Sequence, residues 1–186
     1  GKWGLGEPGT SGLPNDQGFD FWFGYLNQRR AHTYYPDYLW LNLHRFDLTG
    51  NQNGERNQYS HDLMTSFALH FIRSHASEPF FLYLAYTIPH AAFEVPDLGP
   101  YKELQWNDQA KAYAAMITRM DRDIGRLLDL LEELEIAENT IVFFTSDNGA
   151  ANPYHGVFDS TGPFRGRKGE LYEGGIRVPM IVRWPG

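Results

Sequence analysis

A run of β-branched and aromatic residues, Ile141, Val142, Phe143 and Phe144, leads into Asp147, Asn148 and Gly149. A carboxylate and an amide side by side offer hard oxygen donors, the kind that calcium or magnesium takes and zinc does not favour. Gly149 lets the backbone turn past them. A DNG tripeptide by itself is the signature of an Asx-turn or helix cap. Its place at the end of an apolar run makes the cation reading an even match for the turn. A pair of oxygen ligands does not hold a divalent ion alone, so further ligands are expected elsewhere. His90 closes "LAYTIPH" and has the chemistry of a general acid toward a leaving alkoxide, although a structural or surface histidine accounts for the spacing as simply. His32, in "RRAHTYYP", has arginine and tyrosine neighbours that suit an anion-binding wall. Arg165, Arg167 and Lys168 crowd three cations into four residues, which suits oxyanion stabilisation or a solvated basic loop. His155 lies in "NPYHG", where a solvated side chain is expected. Lys2 has no context of its own.

These residues need elements to hold them. Residues 1–20 are rich in Gly, Pro and Asn and read as loop. Residues 60–76 read as a helix, with Ser60 as its cap and Leu63, Phe67 and Phe71 repeating at i+4. "FFLYLAYT", 80–87, is a continuous apolar strand, the pattern of a sheet covered on both faces. Residues 107–135 form the longest helical pattern, with Met116, Met120, Ile124, Leu127, Leu128, Leu131 and Leu134 on one face. A strand over 140–146 and another in "IRVPMIVRW" follow. The alternation predicts an α/β fold, layered α/β/α around a largely parallel central sheet. Ligands of such sheets lie outside the carboxyl ends of the strands, which puts His90 and Asp147–Asn148 on one rim.

Composition narrows the partners. The chain has 186 residues and a net charge of -7, which argues against nucleic acid as the partner. It contains no cysteine, so disulfides and thiolate zinc sites are excluded within it. No apolar run is long enough to span a bilayer. Both ends, "GKWGLG" and "IVRWPG", read as cut ends of a longer chain.

Taken together, "GKWGLG", "FFLYLAYTIPH", "FFTSDNG" and "GRKGELYEGGIRVPMIVRWPG" resemble, in order, the motifs of the sulfatase family, within the alkaline-phosphatase-like superfamily. The likeness is greatest to its arylsulfatase A-like bacterial branch, which shares an AH-x-YYP segment. The resemblance implies an alkaline-phosphatase-like fold, incomplete here at both ends, with residues 1–186 as the middle of a catalytic domain. It implies hydrolysis of sulfate monoesters of carbohydrate or aryl type. Asp147 and Asn148 would be ligands of one calcium ion, favoured over magnesium. Lys2 and Lys168 would contact the sulfate group, and His90 would bind the ester and protonate the leaving alcohol. A periplasmic or extracellular location is what the family implies.

There are departures from the pattern. Many members of the family have His where this chain has Gly4, and His32 is the expected replacement as a sulfate-contacting imidazole. The family's nucleophile is a formylglycine made from Cys or Ser in a C/S-x-P-x-R motif upstream of GKWxLG, and no such motif occurs here. Further acidic metal ligands are expected upstream, and a smaller subdomain downstream. The chain by itself is therefore expected to be inactive and its cation site weak. A phosphodiesterase or phosphonate hydrolase of the same superfamily, and a non-catalytic homologue that binds sulfated glycans, are the alternative readings.

Overall fold

Apolar residues at helical spacing produce the two long helices of the computed structural model, which describes residues 1–151 and 156–185. His155 lies outside the described residues. Helix α1 is Ser60–His75 and helix α2 is Asp108–Glu133. In α1 the fully buried row is Met64, Ala68 and Ile72, one position along from the Leu63, Phe67 and Phe71 row, which packs half-buried against the core. The cap differs from expectation. Tyr59 holds the cap position without a side-chain bond, and Ser60 is the first helical residue, with its hydroxyl buried. Helix α2 is capped by Asn107, whose side chain accepts from the Ala110 N–H at 3.0 Å.

The aromatic segment after residue 20 forms a small antiparallel sheet. Strands β1 (Phe23–Gly24), β2 (Tyr38–Leu41) and β3 (His44–Asp47) pair in that order. Phe23 stacks on Phe67 with ring centroids 3.8 Å apart, which fastens this sheet to α1. Strands β4 (Val142–Thr145) and β5 (Met180–Arg183) form a second antiparallel ladder, with Val142 opposite Arg183 and Thr145 opposite Met180. A one-turn helix, α3 (Glu173–Ile176), precedes β5.

The chain is thus mixed α/β, with one correction of detail. The ladders among the described residues are antiparallel, and parallel alignment is confined to a bridge between Lys2 and Tyr25. The strand predicted over 80–87 joins no ladder, because its described backbone partner from another segment is the Lys2 N–H, donating to Ala85 O at 3.1 Å. Among the described residues one of its faces is covered by the helices. Phe80, Leu82 and Val142 pack with Ile72 of α1 and Leu127, Leu130 and Leu131 of α2. On the opposite face Phe81 is 75 % exposed and Phe143 59 % exposed. The two-residue period of extended chain separates the faces, and the described helices supply one layer for them.

Candidate active site

The segment 80–87 ends in a turn that delivers His90. The His90 N–H donates to Thr87 O at 3.1 Å. Tyr34, fully buried, donates its hydroxyl to His90 O at 2.6 Å and lies 3.1 Å from Thr87 O. The His90 ring has Nδ1 at 2.6 Å from Ala91 O. A carbonyl only accepts, so Nδ1 carries the proton and Nε2 is the nitrogen left to face a ligand. Burial depresses the pKa of this imidazole most. The bond to Ala91 opposes that shift, and the charges of Lys168, Lys2 and His32 lower the pKa further.

His32 ends a short 3₁₀ turn, Arg30–His32. Its ring lies 4.8 Å from that of His90, centroid to centroid, at an interplanar angle of 35°. The replacement expected for the missing family histidine is therefore beside His90. Gly4 has φ 78°, and a Cβ on it would fall 2.6 Å from Gln28 Nε2. A larger residue at that place would need both a left-handed backbone and the displacement of Gln28.

Lys2 is held from both sides, by its N–H bond to Ala85 and by its bridge to Tyr25. Lys168 comes from the basic loop. Its N–H donates to Ala150 O at 2.8 Å, which ties that loop to the end of β4. Gly149 makes this possible, though not by an unusual turn. Its N–H donates to Gly175 O at 2.9 Å, and a Cβ there would meet Gly174 O at 2.0 Å. The glycine permits close approach of two backbones, DNG against YEGG. Arg165 is engaged with Tyr172, 2.7 Å from its hydroxyl. Arg167 lies within 3.8 Å of Glu170. Lys168 makes no ion pair among the described residues, and unlike Arg165 it is not held by a tyrosine.

Asp147 and Asn148 follow β4 as expected. Asp147 is exposed, and Asn148 Nδ2 donates to Gly149 O at 3.1 Å, which leaves its Oδ1 uncommitted by that bond. As hard oxygen donors they fit a calcium ion in kind. They do not fit it in number, since no cluster of three or more His, Cys, Asp or Glu side chains arises among the described residues. Sequence reasoning missed two positioning residues, Tyr34 and Glu94. Glu94 accepts from the Tyr34 N–H at 2.9 Å and pairs with Arg56 at 2.8 Å. Tyr59 donates to Glu94 O at 2.7 Å. The sequence carried no signal for this net beyond the aromatic density around HTYYP, because it joins residues about 60 apart.

Known proteins resemble this chain over its whole length. The family profile described as Sulfatase matches residues 1–186. An N-acetylgalactosamine-6-sulfatase of Canis lupus familiaris is 38% identical over 203 residues, covering 100% of this chain and 37% of that protein. An arylsulfatase of Hemicentrotus pulcherrimus is 32% identical, again over the whole chain and 35% of its own length. The chain therefore spans little more than a third of these relatives. Among solved structures, Ps i-CgsB in complex with k-i-k-neocarrahexaose superposes with a TM-score of 0.80 at 30% identity, over 99% of this chain and 43% of that one.

Proposed function

This chain belongs to the sulfatase family, and from that premise we propose that it forms part of the catalytic domain of a hydrolase of sulfate monoesters. The observation that carries the reading is the meeting of four cationic or potentially cationic side chains from remote parts of the chain. His32 and His90 lie ring to ring at 4.8 Å, and Lys2 and Lys168 are near enough to act on His90 electrostatically. An acidic protein that gathers such groups on one rim is built to receive an anion.

In this reading Lys2 and Lys168 hold the sulfate oxygens and offset the charge that accumulates on them as the ester bond breaks. His32 supplies a further donor to the sulfate. His90 Nε2 gives a proton to the departing alcohol oxygen, which would otherwise leave as an alkoxide. Asp147 and Asn148 would contribute oxygen ligands to a calcium ion, which when bound supplies Lewis-acid charge neutralisation. The nucleophile, a formylglycine in this reading, lies outside residues 1–186. Carbohydrate sulfates are the substrate class we favour, because the first relatives include an N-acetylgalactosamine-6-sulfatase and a structure holding a neocarrahexaose.

The test is steady-state kinetics of the full-length protein on a fluorogenic aryl sulfate and a sulfated galactosamine. His90→Ala and Lys168→Ala are each expected to lower kcat by roughly a hundredfold or more, the scale of a lost general acid or charge stabiliser. His32→Ala should raise KM with a smaller loss of kcat. Undiminished turnover in His90→Ala would sink the assignment of the acid.

A further inference from the structure

A cleft of about 420 Å3 opens at the turn that carries His32, within the range of ligand pockets, and Glu7, Asn27, Arg29, Thr33, Tyr38 and Trp40 are among its walls. Its placement follows from the turn that carries His32. In a 3₁₀ turn, side chains three residues apart eclipse, and the His32 N–H donates to Arg29 O at 3.3 Å. Arg29 and His32 therefore share a face of that turn, roughly 6 Å apart along its axis. The turn is fixed at its start. Asn27 Oδ1 accepts from the N–H groups of Arg29 and Arg30 at 2.9 and 3.1 Å, and Asn27 Nδ2 donates to the Glu7 carboxylate. That last bond ties the N-terminal loop to the cleft.

The other cations nearby are already engaged. Arg30 pairs with Asp37 and lies 3.8 Å over the Tyr38 ring. Arg45 pairs with Asp47 at 2.6 Å and lies 4.0 Å from the same ring. Arg29 is exposed and has no ion-pair partner among the described residues. Trp40 is half-buried against Leu13, Trp22 and Leu26, which holds its indole rigid at the wall. Tyr38 is taken up by the two guanidinium groups, so Trp40 is the aromatic left to meet a sugar face.

We propose that this cleft is a second saccharide subsite, in which Arg29 binds an anionic substituent on the sugar next to the one whose sulfate the site receives. The inference rests on the sulfatase reading above. Trp40 packs against the pyranose ring and Glu7 accepts from its hydroxyls, while the guanidinium fork of Arg29 takes a sulfate ester or a carboxylate in bidentate fashion. Glu7 repels an anion placed at its own end, so the substituent has one favoured orientation, toward Arg29. The substrate class that follows is a polyanionic glycan, rather than a singly sulfated one.

The test is calorimetric binding to the full-length protein of sulfonate analogues of disaccharides, which are not hydrolysed. One analogue carries a single anionic group, one carries a second sulfonate on the neighbouring ring, and one carries a uronate there. At least one doubly charged analogue should bind roughly tenfold more tightly than the singly charged one. That ratio should collapse to within twofold in Arg29→Ala and return in part in Arg29→Lys, while hydrolysis of a simple aryl sulfate stays unchanged. Preference for the sulfonate or the uronate tells the two kinds of anion apart. Equal binding of all three analogues, or an Arg29→Ala variant that loses the aryl sulfate as much as the disaccharides, overturns the subsite. Failure of the sulfatase reading is separate: it shows as no hydrolysis of any sulfate ester by the unsubstituted protein.

Discussion

His90 has one ring nitrogen committed to Ala91 and the other free, and its imidazole is depressed below the ordinary histidine value, first by burial and then by the cations around it. The proton that the leaving alcohol needs is therefore held only at acidic pH. The acid form is lost as pH rises through the lowered pKa, so kcat/KM is expected to fall on the alkaline side of an optimum below about pH 6.5. Removing the charge of Lys168 should relieve part of the depression. In Lys168→Gln an NMR titration of the His90 ring should move to higher pH, and an unmoved titration would show that Lys168 does not act on it. At this scale the sequence named the members of the cluster but not their relation. Lys2 had no context at all until its bonds to Ala85 and Tyr25 placed it. Nor did Gly4 explain itself, because its left-handed backbone and the Gln28 side chain are facts of folding. Tyr34 and Glu94 were invisible for the same reason.

Helices α1 and α2 are joined by a buried polar contact that periodicity did not foretell. Asp123 sits on α2 with no exposure, His61 Nε2 donates to its Oδ2 at 3.0 Å, and Arg122 and Arg126 reach its Oδ1 at 2.9 and 3.1 Å. Burial alone would raise the Asp123 pKa, but the bonds from His61, Arg122 and Arg126 outweigh it and hold the carboxyl ionised. His61 goes the other way. Burial lowers its pKa more than Asp123, Asp62 and the opposing Arg119 together adjust it, and its Nδ1 is buried with no partner. A second N–H there would be buried unpaired, so the neutral ring is the native form. Tyr86, 4.4 Å away by ring centroid, adds no charge, its own pKa being raised by burial to about 12. The unfolded chain binds this proton near pH 6.5 and the folded chain only below that. Stability is therefore full above about pH 6.5 and lost as pH falls through and below it, by denaturant titration across pH. Asp123→Ala leaves the His61 N–H buried without its acceptor and should cost about 2 kcal/mol in the same measurement. A His61→Leu variant without the acid-side loss would assign it to this residue. A pattern of apolar residues finds helices because burial is periodic. It does not find which polar residue the partner helix satisfies.

Across the whole molecule the cations gather on one rim of a chain whose net charge is -7, so the field at the rim is local rather than global. One face of the 80–84 and β4 region is covered by α1 and α2, while Phe81, Tyr83, Phe143 and Ile181 are 75, 59, 59 and 61 % exposed on extended segments that have no helical layer over them among the described residues. Together with an oxygen-donor pair too small for calcium, this predicts that the purified 186-residue chain does not turn over a fluorogenic aryl sulfate, calcium added or not. Turnover above the buffer blank would refute that. The sequence by itself determined the family, the mixed α/β class and both long helices, and it nominated the candidate rim residues, because motif order, helical period and residue chemistry are written locally. The tertiary structure alone decided that His32 stands beside His90, that Gly149 serves a backbone contact, that the closed ladders are antiparallel and that Arg29 faces an open cleft. Each of those is a meeting of segments far apart in the chain. Such meetings depend on which surfaces exclude water together, and "TSDNGA" or "RRAHTYYP" read alone does not say what will pack against it.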